Sequence, residues 1–175
     1  MKLTGRQVIR ADGETVWAAL LDPDVLKASV PGCTEISGSA EEGFEATVVQ
    51  KVGPVKATFK GRVVLSDMVA PRSLTLSGEG KGGAAGFAKG SADVRLEQAD
   101  ETTILEYDVE AKVGGKLAQL GSRIIDGFAK KMADQFFESF SNAVGAPEEG
   151  QDGGAEGDDQ DESPQKKGWF KRLRG

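Results

Sequence analysis

One stretch of this chain, Gly114 to Val144, is long and regular enough to form an extended amphipathic helix. Leu117, Leu120, Ile124, Ile125, Phe128, Met132, Phe136, Phe137, Phe140 and Val144 recur at steps of three and four, which a 3.6-residue period gathers on one face. Lys116, Gln119, Arg123, Asp126, Lys130, Lys131, Asp134 and Glu138 fall on the other. Gly114-Gly115 marks the start, and Gly145-Ala146-Pro147 the stop, as a glycine cap followed by proline does. Such a helix spans about 43 Å, the breadth of a small domain. An apolar face of that length must be covered, and the segments that precede it have to do the covering.

Those segments read mostly as strands. Residues 2–10 form the first, ended by Ala11-Asp12-Gly13. A short helix capped by Asp12 or Thr15 follows, with Val16, Trp17, Leu20 and Leu21 on its apolar side. A second, from Asp24 to Ser29, buries Val25 and Leu26 and ends at Val30-Pro31-Gly32. Residues 33–38 form a short strand, and 44–52, 55–65, 74–80, 88–96 and 105–113 then alternate apolar with polar side chains. Gly53-Pro54 and Gly82-Gly83 supply turns. Strict alternation implies an antiparallel sheet with one wet and one covered face. The expected fold is α+β: a curved antiparallel seven-stranded sheet around the long C-terminal helix, with two short helices after the first strand.

The covered face is unevenly filled. If hairpins join the strands, the turns at 53–54, 82–85 and 114–115 lie together at one end, end A, and the remaining turns lie at end B. Ala57, Gly78, Gly80, Ala88, Gly90 and Ala111 fall near end A, with Gly61 and Ala92 nearer the middle. Phe44, Val63, Leu65, Leu74, Leu76, Val94, Leu96, Leu105 and Tyr107 fall near end B. The helix repeats the gradient, with Leu117, Leu120, Gly121 and Ile124 toward end A and Phe128, Phe136, Phe137 and Phe140 toward end B. Interiors pack densely, so this shortfall predicts either closure or a cavity. The expectation is an apolar cavity opening toward end A and fit for a lipophilic small molecule, with Val30, Ala57, Phe59, Gly61, Gly78, Phe87, Gly90, Ala111, Leu117, Leu120, Gly121 and Ile124 as its ligand-binding residues. The competing reading makes the glycines bends and bulges of a strongly curved sheet.

Composition removes several chemistries. The 175 residues include no histidine, and Cys33 is the one cysteine, which excludes a disulfide framework, a multi-cysteine zinc site and histidine-activated nucleophiles. Alternation turns Tyr107 inward but Asp108 and Glu79 outward, so the sheet offers no inward carboxylate pair for acid–base work. The expectation is a protein that is not an enzyme and carries neither a metal nor a covalent cofactor. The opening MKLTGRQVIRADG lacks an apolar h-region, and no run approaches the ~18 apolar residues of a span, so a cytoplasmic protein is expected.

The net charge of −6 conceals two opposed tails. Eight acids and no base lie in 148–165, and five bases and no acid in 166–175, leaving 17 basic and 20 acidic residues for 1–147. The domain plan is therefore 1–146 as a ligand-binding domain, 147–165 as an acidic disordered linker and 166–175 as a basic-aromatic tip. In the tip, Lys166, Lys167, Lys171, Arg172 and Arg174 interleave with Trp169, Phe170 and Leu173, a pattern suited to an anionic membrane surface. An acidic patch on a partner enzyme is the alternative. Nucleic acid is a poor fit to so short a basic tail behind an acidic stretch.

Certain residues also carry a resemblance. Asp22-Pro23, Leu26 and Val30-Pro31-Gly32-Cys33 look like the signature of the carbon monoxide dehydrogenase G-subunit (CoxG) family, within the START-like (SRPBCC, helix-grip) superfamily. Leu120-Gly121-Ser122-Arg123 and Phe136-Phe137-Glu138-Ser139-Phe140 are similar to that family's long helix. The resemblance covers 1–145 and implies a non-catalytic accessory of a molybdenum hydroxylase such as carbon monoxide dehydrogenase. It implies recruitment of that enzyme to the inner face of the cell membrane, as a peripheral protein, and a bound quinone (menaquinone or ubiquinone). A ligand-free membrane adaptor or assembly factor is the alternative it leaves.

Overall fold

The computed structural model describes residues 1–145. In chain order its elements are β1 (Lys2–Ile9), α1 (Gly13–Leu20), α2 (Pro23–Ser29), β2 (Cys33–Ser39), β3 (Gly43–Val52), β4 (Val55–Val69), β5 (Ser73–Lys81), β6 (Phe87–Ala99), β7 (Thr102–Gly114) and α3 (Ser122–Gly145). Short 3₁₀ segments occupy Gly83–Ala85 and Gly115–Leu120. The strands make one sheet in the order β1-β7-β6-β5-β4-β3-β2, antiparallel throughout. The chain is thus α+β, with a curved seven-stranded antiparallel sheet and a C-terminal helix, as alternation predicts.

Local chemistry sets the two short helices. Asp12 caps α1 by accepting from the Thr15 amide at 2.7 Å, a bond that holds its carboxyl below the ordinary aspartate range. Asp22 caps α2 by accepting from the Asp24 amide at 2.9 Å, and Pro23 starts that helix without wasting an amide. At the far end of α2, the buried Ser29 hydroxyl donates to the Val25 carbonyl at 2.7 Å. The chain then leaves through Val30-Pro31-Gly32 to the edge of the sheet. There the Val49 amide donates to the Gly32 carbonyl at 2.9 Å, and the Gln50 side-chain amide donates to the Pro31 carbonyl.

The long helix is shorter than its apolar spacing predicts. Rather than running from Gly114, α3 begins at Ser122, and 24 residues give it a length of about 36 Å. Gly115 and Gly121 have φ of +75° and +90°, a left-handed backbone that an α-helix cannot contain. Between them lies the 3₁₀ segment, whose Leu117 and Leu120 are three apart, a spacing both helix types satisfy. Strands β4, β6 and β7 in turn outrun their predicted ends, because their pairing continues at end B where alternation has faded.

The interior has two separate hydrophobic clusters. The larger joins Ile9, Val16, Trp17, Phe44, Leu65, Leu74, Val94, Leu96, Leu105, Tyr107, Phe137 and Phe140 at end B. Phe137 stacks on Tyr107 with centroids 5.1 Å apart, Phe136 stacks on Phe140 at 5.6 Å, and Phe136 meets Phe137 edge-on at 5.0 Å. The smaller cluster joins Val52, Leu117 and Ile125 at end A. Phe140 is fully buried in the larger one. Phe140→Ala should therefore lower the unfolding free energy by about 3–5 kcal/mol in urea denaturation, through lost contacts and the void left behind.

Candidate ligand cavity

Between the two clusters the sheet and α3 flank an apolar cavity in two adjoining compartments. The first, of about 590 Å³, runs beneath the middle of α3, where Ala133, Phe136 and Phe137 face Gly61, Gly78, Gly80, Ala88, Gly90 and Ala92 of the sheet. Val30, Leu26 and Ile36 wall one side of it, and Leu3, Leu105, Tyr107 and Val109 another. The second compartment, of about 420 Å³, lies toward end A and is lined by Val52, Val113, Leu117, Ile125, Phe128, Ala129 and Met132 among others. Phe59, Gly80, Ala88, Ala111 and Ala133 border both.

The glycines do two different jobs. A side chain built on Gly80 would meet nothing within 4 Å, so this glycine faces open cavity. One on Gly90 would run into the Glu110 carbonyl, and one on Gly61 would stand 3.0 Å from the Glu79 carbonyl, so these two permit close approach of neighbouring strands. Gly61 pairs with Gly80, Gly78 with Gly90 and Gly90 with Ala111, which makes the bare patch continuous across four strands. Arg62, Glu79 and Lys89 border the cavity beside these glycines although all three side-chain positions are on the exposed face.

Of the residues picked out by sequence, Val30, Phe59, Gly61, Gly78, Gly90, Ala111 and Leu117 line the cavity. Five do not. Phe87 is on the outer face of β6, 42% exposed, with its ring lying over Gly114; its parity opposes that of Ala88 and Gly90. Ala57 is on the covered face but beyond the cavity wall. Leu120 packs on the smaller cluster, and Ile124, 41% exposed, reaches toward the Gly53 turn. Gly121 is exposed, with open space where a side chain would stand, so it walls nothing. At end A, Val52, Leu117 and Ile125 pack together and line the second compartment.

Sequence reasoning missed the helix side of the cavity. Phe128 and Met132, assigned to packing, line the second compartment with Ala129 and Ala133. Two alanines four apart on the apolar face are the signal, since they thin the helix where the sheet is bare. Gln50 was also missed. Among the described residues it is the one polar side chain lining the second compartment, and it points inward with Val48 and Val52. One of its amide hydrogens is held by Pro31, which leaves the other and the carbonyl oxygen for a guest.

Tyr107 is the only tyrosine in the chain. Its ring crosses Gly5 of β1, and burial raises the phenol above its ordinary value, helped by the carboxylate of Asp134 and opposed by Lys130. Asp108 points outward and pairs with Arg95 at 3.1 Å, so the two neighbours share no site. Among the described residues no cluster of His, Cys, Asp or Glu is arranged to hold a metal ion. Cys33 is half-buried and donates to the Glu35 carbonyl at 3.3 Å.

Residues 5–145 match the model of the CoxG family, the G-subunit of carbon monoxide dehydrogenase. The chain belongs to that family. A conserved protein from Geobacillus kaustophilus is similar at 28% identity and a TM-score of 0.77, over 82% of this chain and 95% of that one. A START superfamily protein from Mycobacterium smegmatis is similar in fold, with 11% identity and a TM-score of 0.63 over 82% and 96% of the two chains. A protein from Thermus thermophilus shares that fold at 13% identity and a TM-score of 0.63, over 82% and 97%. No curated protein matches the chain. The proposed linker 147–165 and the tip residues Lys166 to Arg174 lie outside the described residues, among which no helix is long and apolar enough to cross a membrane.

With a single tyrosine, absorbance titration isolates Tyr107. Tyrosinate should form at higher pH in the folded protein than in urea. Because the folded value is the raised one, the stabilisation is complete below about pH 10 and lost as pH rises through the folded value. Coincident titrations of the two states would contradict burial of the phenol.

Proposed function

We propose that this chain is a non-catalytic accessory protein of a molybdenum-containing carbon monoxide dehydrogenase. It holds a lipophilic molecule, a respiratory quinone, in the cavity under α3 and brings the enzyme to the inner face of the membrane. Membership of the CoxG family supports the partner, and the apolar cavity carries the ligand half of the reading. Each compartment falls within the 300–1,000 Å³ range of small-molecule sites, and the walls are almost wholly hydrocarbon. A prenylated ring suits such walls, with a ring carbonyl accepting from the unclaimed hydrogen of Gln50. Lys166, Lys167, Trp169, Phe170, Lys171, Arg172, Leu173 and Arg174 supply the reversible attachment, each cation contributing about 1 kcal/mol at an anionic leaflet.

Gly80→Leu tests the ligand half, because the new side chain enters empty space on an ordinary strand backbone. Wild-type protein purified from a quinone-rich host should release quinone on organic extraction, identified by mass spectrometry. The variant should retain its fold by circular dichroism and release at least tenfold less. A consistently empty wild-type protein favours the ligand-free adaptor. Vesicle flotation of the full chain against a form lacking 166–175 tests the tip: the truncated form should lose binding to anionic vesicles, most clearly at low salt. Equal flotation would remove the tip from the reading.

A further inference from the structure

The outer face of the sheet at end A sets lysine against lysine. Lys51 pairs directly with Lys56, Lys60 with Lys81, and Lys89 with Lys112. All six are exposed. Like charges directly opposite one another weaken a sheet, and three such pairs lie at one end of this one.

The rest of the outer face shows that the chain can pair its charges. Arg62 meets Glu45 at 3.2 Å, Arg95 meets Asp108 at 3.1 Å and Glu106 at 3.8 Å, and Lys2 meets Glu110 at 3.7 Å. Among the described residues, none of the six lysines has a carboxylate within 4.0 Å. Glu79 lies in register with Lys89 and Arg62, an acid within the patch.

Apolar groups share this end. Phe87 sits opposite Lys81 on the outer face, 42% exposed, and Ile124 near the Gly53 turn is 41% exposed. Directly inside lie Val52, Val113 and Leu117, which line the end-A compartment of the cavity. Unpaired lysines, an exposed aromatic ring and an aliphatic side chain at one end match a charged lipid surface. An acidic protein would offer carboxylates but no hydrocarbon layer for Phe87 and Ile124.

We propose that this lysine face of the domain is itself a contact surface for an anionic membrane, and that it turns the end-A compartment toward the bilayer. The proposal rests on the membrane half of the proposed function and is independent of the ligand half. The terminal tip gives attachment, and the lysine face gives orientation. Each lysine adds about fivefold to partitioning at low ionic strength.

The test uses the full chain with vesicles of phosphatidylcholine containing about 30% phosphatidylglycerol, enough for a strongly anionic surface, and with pure phosphatidylcholine. A variant carrying Lys60→Gln, Lys81→Gln, Lys89→Gln and Lys112→Gln should unfold at the wild-type temperature or above and partition onto the anionic vesicles at least tenfold more weakly. Hydrogen exchange of the wild type should slow at Lys51–Lys60 and Lys81–Lys89 on those vesicles alone. Wild-type partitioning by the variant would overturn the proposal, as would protection confined to the tail, or protection of the face by an acidic partner enzyme but not by vesicles. A companion variant with the five tip cations changed to glutamine separates the readings. If it still binds while the face variant does not, the tip fails and the face stands; the converse sinks the face.

Discussion

The structure depends on how α3 is held. Its main chain largely stands off from the strands, and its hold on the sheet at end B runs through the aromatic side chains Phe136, Phe137 and Phe140, with Tyr107 answering from β7. Large rings act as spacers as well as anchors, since they fix the helix at a height that smaller residues could not support. The space under Ala129 and Ala133 is the geometrical result: a rod propped on aromatics above a floor of glycine and alanine. Dense packing at one site thereby maintains a void at another, which reconciles the cavity with the density expected of interiors.

Much of this was legible because strand parity is a strong signal. Alternation placed Tyr107 inside and Asp108 outside, and it identified Gly61, Gly78, Gly90 and Ala111 as covered positions short of side-chain volume. The same parity places Phe87 outside, opposite in phase to Ala88 and Gly90. Less legible was where the long helix begins. A 3₁₀ segment and an α-helix share the three-residue step, and only the left-handed backbone at Gly121 separates them. The helix lining was hidden for another reason: a list of large apolar residues passes over Ala129 and Ala133, and here absence of volume was the information. Gln50 is polar in an otherwise apolar row, and its role emerges only with the Pro31 loop beside it.

The two faces of the sheet follow different rules. Inside, small residues form a bare patch between the two hydrophobic clusters; outside, the lysines without a carboxylate in reach gather at end A. Among the described residues, these lysines adjoin the bare patch on the opposite face, with Lys81 next to Gly80 and Lys89 next to Gly90. A substitution there can act on the cavity, on the surface or on neither according to its parity alone. Gly80 and Lys81 are adjacent in sequence yet face the cavity and the solvent respectively.

The strand order has a consequence for synthesis. Every strand pairs with a sequence neighbour except β1, whose partner β7 begins at Thr102, about a hundred residues later. During translation the meander from β2 to β7 can assemble progressively, while β1 waits for most of the domain to be made. The helix that covers the apolar floor emerges after all seven strands. Until Phe136 and Phe137 leave the ribosome, that floor is bare to water, and a nascent chain stalled before them presents the cell with an uncovered hydrophobic sheet.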